Sequence, residues 1–223
     1  MNMPDRGFDE SMCRTGSEDL EKTVVAIIDY DAGNVKSVEK ATEYLGKDAV
    51  LTRNRLDILN ADHVILPGVG AFGDAMKRLN DYDLVGVISE AVDKDIPFLG
   101  ICLGLQLLFD ESEESPGVEG LGLIPGRIIR IPDKGLKVPH IGWNSLKYPN
   151  PGRLFKDVPE GSYVYFVHSY YLEAEDASVV TATTEYAALI QASVEKGNLF
   201  ATQFHPEKSS DTGLAILKNF LEI

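Results

Sequence analysis

The 223-residue chain is 44% hydrophobic, which suits one sizeable soluble domain, and no stretch approaches the ~20 apolar residues of a membrane span. Its formal charge of −14 excludes a general nucleic-acid binder, because phosphate contacts need a surplus of Lys and Arg. Two cysteines, Cys13 and Cys102, argue against a disulfide framework or a cysteine-type metal site, and the charged start (Asp5, Arg6, Asp9, Glu10) against a secretory signal. A cytoplasmic setting is therefore expected, with no membrane association.

Residues 1–22 collect Asp, Glu, Ser, Gly and Arg without apolar periodicity, which predicts a flexible extension ahead of a domain spanning 23–223. Residues 23–29 (TVVAIID) form an apolar run ended by Tyr30-Asp31-Ala32-Gly33-Asn34, the pattern of a buried strand, a loop and a helix over 35–45. A short strand at 49–51, a polar link and a buried strand at 63–66 come next, leading into Pro67-Gly68-Val69-Gly70. Helical patterns cover 74–79 and 84–93. This alternation implies an α/β fold with a mostly parallel central sheet and helices on both faces. From residue 117 the chain turns β-branched and aromatic, predicting antiparallel strands at 127–131, 141–146, 163–172, 179–184, 189–194 and 199–203 that extend the sheet. A final helix is expected over 213–221, capped by Ser209, Ser210 or Asp211.

The stretch 97–109 (PFLGICLGLQLLF) reads as a strand that turns sharply into a helix with Cys102 at the turn. Such an elbow strains the backbone, so bulky neighbours at Gly100 and Gly104 would clash. It would leave the sulfur at a helix N-terminus, where unpaired N–H groups favour the thiolate. Taken alone, the same pattern also fits a tightly packed helix start. A thiol nucleophile needs a base. His205, ending a predicted strand and two residues before Glu207, can be oriented by that carboxylate, although a lone His-Pro-Glu is equally a plain strand exit. The loop at Pro67–Gly70 can present N–H groups to an oxyanion or be an ordinary glycine-rich turn. Gly68, Gly70 and Gly73 are spaced G-x-G-x-x-G, but no acidic residue stands at a strand end about 20 positions later, so a dinucleotide cofactor is discarded.

In combination, Gly100-Ile101-Cys102-Leu103-Gly104, Gln106, the Pro67–Gly70 loop and His205-Pro206-Glu207 resemble the class I (triad) glutamine amidotransferases, over residues 24–223. That likeness implies a flavodoxin-like α/β plan. Leu105, where many members carry His, narrows the likeness to one branch, the glutaminase subunits of imidazole glycerol phosphate synthases. So do the acidic run 110–114, Pro139-His140-Ile141-Gly142-Trp143-Asn144 and Val167-His168-Ser169-Tyr170-Tyr171. The resemblance implies that Cys102 attacks the carboxamide of L-glutamine, that His205 moves the proton and that Glu207 orients His205. Val69, Gly70 and Leu103 would stabilise the oxyanion, and Gln106, Ser169 and Tyr170 would hold the amino-acid end. Ammonia would pass to a separate cyclase subunit, a (β/α)8 barrel, forming a heterodimer in which Trp143, Asn144 and Lys208 face the partner. His140 and His168 are read as structural or interface histidines. Two other readings stay open: a glutaminase serving the pyridoxal phosphate or chorismate pathway, and a silent regulatory domain of the same fold.

Overall fold

The candidate residues are carried by a run of parallel strands, by the antiparallel wing beside it and by a separate two-stranded ladder. The computed structural model describes residues 23–31, 33 and 35–223; the extension expected at 1–22 lies outside the described residues. The order begins β1 (Val24–Ile28), α1 (Val35–Tyr44), β2 (Asp48–Thr52), α2 (Arg55–Leu59), β3 (His63–Gly68), α3 (Phe72–Asp81), α4 (Leu84–Asp93), β4 (Phe98–Cys102) and α5 (Leu103–Leu107). It continues with β5 (Glu111–Ser112), β6 (Gly126–Arg130), β7 (His140–Ser145), β8 (Tyr163–His168), β9 (Tyr170–Ala174), β10 (Val180–Glu185), β11 (Leu189–Lys196), β12 (Leu199–Thr202) and α6 (Ser210–Leu221).

The main sheet runs β2-β1-β3-β4-β12-β11-β9-β6-β5, with β10 paired to β11. The first five strands in that order are parallel, and β11, β9 and β10 join antiparallel. Strand alternation sorts the core into two layers. Ala26, Ile28, Val64 and Leu66 pack with Phe72, Leu79, Ile88 and Leu105 on the face covered by α3, α4 and α5. Val25, Ile27, Ile65, Leu99 and Ile101 pack with Val38, Ile216, Leu217 and Phe220 on the face covered by α1 and α6.

Three expectations are corrected. The strand expected over 163–172 is two strands in different sheets: β8 pairs only with β7 in a small ladder, and after a bend at Ser169, β9 enters the main sheet. No Gly or Pro marks that corner, so the aromatic alternation runs straight through it. The polar link contains α2, whose N-cap Asn54 accepts from the Leu56 and Asp57 N–H groups. Only Ile58 of that helix is buried, which leaves no apolar period to read. The last helix begins at Ser210 rather than 213, with Ser209 at its N-cap. The Ser209 hydroxyl does not cap; it donates to the His205 carbonyl at 2.6 Å and accepts from the Tyr165 N–H at 2.9 Å.

Candidate active site

Parallel register brings three strand ends level: Gly68 of β3 lies opposite Cys102 of β4, and Thr202 of β12 opposite Ile101. The loops leaving these strands therefore meet at one edge, where ligands bind in open α/β sheets. Cys102 adopts φ 56° and ψ −107°, outside the regions that side-chain-bearing residues prefer. The glycines around it permit this turn. A Cβ on Gly104 would lie 1.9 Å from the Leu66 carbonyl oxygen, and one on Gly100 2.8 Å from the Gly104 oxygen. The expectation that Gly100 and Gly104 tolerate no bulk thus has a steric cause.

His205 and Glu207 follow β12 as the chain enters a short 3-10 turn, Pro206–Lys208. His205 Nδ1 and Glu207 Oε1 are 2.8 Å apart, with both side chains almost wholly buried. The backbone N–H of His205 donates to the Tyr165 carbonyl at 3.0 Å, which ties the imidazole to β8. Nε2 makes no well-formed hydrogen bond, yet Cys102 is the strongest group favouring the imidazolium. Burial opposes the cation, but hydrogen bonding and charge from Cys102 and then Glu207 outweigh it and raise His205 from 6.5 to about 10. The sulfur and the carboxylate thus flank an imidazole that is held ready to carry a proton, the arrangement of a thiol nucleophile with its base.

A cavity of about 300 Å³ opens over the sulfur. Cys102, His205, Val69, Gly70, Leu103, Gln106, Ser169 and Tyr170 all line it, so the structure gathers these expected residues around one small-molecule-sized space. Glu207 stands behind His205. Gly70 has φ +104°, which only glycine adopts without strain. Gln106 is more committed than its sequence suggests. Its Nε2 donates to the Tyr170 carbonyl at 3.2 Å and to Gln203 Oε1 at 3.1 Å, so the amide oxygen is the atom it has left for a ligand.

Gln203 carried no role in the sequence, although it stands two residues before His205. It is fully buried, and its Nε2 donates to Cys102 Sγ at 3.8 Å while its oxygen accepts from Gln106. The helix after the elbow is only five residues long, so its dipole is small and Gln203 is the more specific stabiliser of negative sulfur. The acidic run also finds a place: Glu114 Oε2 and Ser115 Oγ accept from the Phe72 and Gly73 N–H groups, holding the start of α3 beside the Val69–Gly70 loop.

Trp143 is 48% exposed and Lys208 exposed, whereas the Asn144 amide is spent inside the chain on His140 and the Glu185 carbonyl. With Ile141 and Tyr163, 61% and 59% exposed, Trp143 gives β7 and β8 an uncovered apolar surface. Among the described residues no group of His, Cys, Asp or Glu is placed to hold a metal ion, and no helix is long and apolar enough to cross a membrane.

Comparison with known proteins fits this arrangement. The chain is 53% identical over 199 residues to imidazole glycerol phosphate synthase subunit HisH of Moorella thermoacetica, covering 89% of this chain and 94% of that protein. It is 51% identical over 201 residues to the subunit of the same name from Methanosarcina acetivorans, covering 89% and 98%. Among solved structures, one described as a crystal structure of glutamine amidotransferase superposes with a TM-score of 0.70 at 20% identity, over 89% of this chain and 99% of that one, a likeness of fold. The family model described as Glutamine amidotransferase class-I matches residues 26–223. A strained cysteine elbow beside a buried His–Glu pair on this sheet is thus accompanied by similarity along nearly the whole domain, and the chain belongs to the class I glutamine amidotransferases.

Proposed function

We propose that this chain is the glutaminase subunit of an imidazole glycerol phosphate synthase, hydrolysing L-glutamine through a thioester on Cys102 and delivering ammonia to a separate cyclase subunit. The observation that carries the chemistry is the convergence of Cys102, His205 and the 2.8 Å His205–Glu207 contact at adjacent parallel strand ends. The pathway is supported by about 50% identity to subunits named HisH.

In the proposed cycle the Cys102 thiolate attacks the carboxamide carbon, forming the C–S bond while the carbonyl oxygen becomes an oxyanion. The Gly70 and Leu103 backbone N–H groups, with Val69 shaping the loop, receive that charge. Collapse breaks the C–N bond, and the His205 Nε2 proton leaves with the amine as ammonia. His205 then takes a proton from water as the hydroxyl attacks the thioester. Glutamate departs, and the thiolate and imidazolium are restored. Glu207 holds the imidazole in orientation throughout. The amide oxygen of Gln106, the Ser169 hydroxyl and Tyr170 hold the amino-acid end of glutamine.

The proposed partner is a (β/α)8 barrel that docks on the apolar face of β7 and β8 at Trp143, with Lys208 at its margin and Asn144 supporting β7 from the opposite face through His140 and Glu185. Tyr165, whose ring meets Trp143 edge-on at 6.1 Å, accepts the His205 backbone N–H, so docking there lies one hydrogen bond from the base. The reaction is placed in the cytoplasm. Glutamate release measured with the chain alone, then with the cyclase subunit and its ribonucleotide substrate, tests the proposal. Stimulation by that partner is expected. Unstimulated hydrolysis, or stimulation by a chorismate-using partner instead, would refute the pathway.

A further inference from the structure

His140 and His168 take no part in the thiol chemistry, yet both are buried and face each other across the β7–β8 ladder. His168 Nδ1 lies 2.8 Å from the Tyr170 carbonyl oxygen, which only accepts, so Nδ1 carries a proton. At the other end, Asn144 Nδ2 donates to the Glu185 carbonyl at 2.8 Å, which turns Oδ1 toward His140 Nε2 at 2.9 Å. That oxygen also accepts, so His140 Nε2 carries a proton too. The two remaining nitrogens, His140 Nδ1 and His168 Nε2, are 3.1 Å apart. In a pair of neutral rings they would oppose two lone pairs; one further proton turns the conflict into a hydrogen bond.

His140 is the better site for that charge. Its ring stacks on Tyr186 (3.9 Å between centroids, 17°) and on Phe166 (5.1 Å, 20°), whose π faces attract a cation. Burial pushes both imidazoles down and so opposes the cation, but a neutral pair would leave two buried lone pairs facing each other at 3.1 Å, and that contact favours the extra proton more strongly. His168 falls to about 4, with His140 and His205 adding to the depression, while the Asn144 hydrogen bond opposes it at His140. The titratable neighbours are His205 at the end of β12, which acts on His168, and Tyr186 between β10 and β11, whose hydroxyl donates to the Lys137 carbonyl. Tyr170 on β9 and Glu185 on β10 meet the network through their carbonyl oxygens.

We propose that His140 is an imidazolium that positions the glutamine pocket, its charge closing a continuous bridge Glu185–Asn144–His140–His168–Tyr170 from the β7 face to the pocket wall. The Tyr170 carbonyl held by His168 is the same atom that anchors Gln106. Loss of the proton as pH rises removes the central bond, so that His168, still bonded to the Tyr170 carbonyl, loses its tether to β7 and the Tyr170–Gln106 wall loses its outer support. His140 is therefore a positioning residue, acting on glutamine through Tyr170 and Gln106. Its kinetic consequence rests on the glutaminase reading; its protonation does not.

Ring-nitrogen NMR on the isolated chain at neutral pH tests the bridge directly. Protons on both nitrogens of His140 and only on Nδ1 of His168 are expected, and Asn144→Asp, which places a carboxylate on His140 Nε2, is expected to move the His140 titration upward. A single proton on His140 at neutral pH, or a titration unmoved by Asn144→Asp, would overturn the proposal. In the complex with the cyclase subunit, His140→Phe keeps a stacking ring and removes both hydrogen bonds. The KM for glutamine is expected to rise about tenfold, the weight of one charge-assisted hydrogen bond, with kcat nearly unchanged. An unchanged KM would overturn the positioning role. Absence of hydrolysis by the wild-type complex would instead refute the glutaminase reading and leave the ring spectra to decide the bridge.

Discussion

Gly104 packs so tightly on Leu66 that an added Cβ would stand 1.9 Å from the Leu66 carbonyl oxygen. The clash is with backbone hydrogen-bonded into the central sheet, so relief must move β3 or the elbow itself. Gly104→Ala is therefore predicted to destabilise by about 3 kcal/mol or more. Gly86, inside α4, has open space where its Cβ would go. Gly86→Ala is predicted to stabilise by about 0.5–1 kcal/mol through helix propensity. Denaturant unfolding of the two variants checks both signs; equal midpoints would contradict the steric account of the elbow.

The strain at Cys102 predicts an unusual ranking. At φ 56° and ψ −107° a Cβ-bearing residue carries about 1–3 kcal/mol of backbone cost that glycine lacks. Cys102→Gly is expected to unfold at higher denaturant than Cys102→Ala by about 1 kcal/mol, after glycine's own entropic penalty. Both variants lose activity. A less stable Cys102→Gly would show that the elbow is not strained.

The imidazolium of His205 has a predicted pH signature. Burial alone would lower its pKa; Cys102 and Glu207 raise it from 6.5 to about 10. A raised folded value means that the His205–Cys102–Glu207 interaction stabilises the fold fully below the unfolded pKa, near 6.5. That contribution fades as pH climbs toward 10. Cys102→Ser removes the sulfur that raises the imidazole, so the His205 titration, followed by NMR, should move down. An unchanged titration would mean that Cys102 does not act on the imidazole.

Gln203 is predicted to matter although it touches no leaving group. Gln203→Leu removes the amide that donates to Cys102 Sγ and strips Gln106 of an acceptor. Turnover should fall about tenfold, the weight of one hydrogen bond to a charged group. The rate of Cys102 alkylation at neutral pH should also fall. An unchanged alkylation rate would assign Gln203 to packing alone.

The elbow, the His-x-Glu spacing and the parallel half were legible because each rests on a local pattern: a β-branched run, a glycine where backbone approaches backbone, a carboxylate two residues from an imidazole. Gln203 was not, because its contacts with Cys102 and Gln106 span 101 and 97 residues and depend on the β4–β12 register. The corner at Ser169 was missed for a related reason. Both β8 and β9 are aromatic and alternating, and only the sheet pairing reveals that they belong to different sheets. The histidine bridge shares this origin: His140 and His168 become partners through the ladder, and nothing in their sequence neighbourhoods marks them as a pair.

The central claim is that Cys102 carries the glutamyl group. Intact-mass analysis of the chain, quenched during turnover of glutamine in the presence of the cyclase subunit, tests it most directly. A glutamyl adduct mapped to Cys102 is predicted in the wild type and, at slower turnover, in Glu207→Gln, with none in Cys102→Ala. Glutamate release persisting in Cys102→Ala, or an adduct on any other residue, would contradict the account.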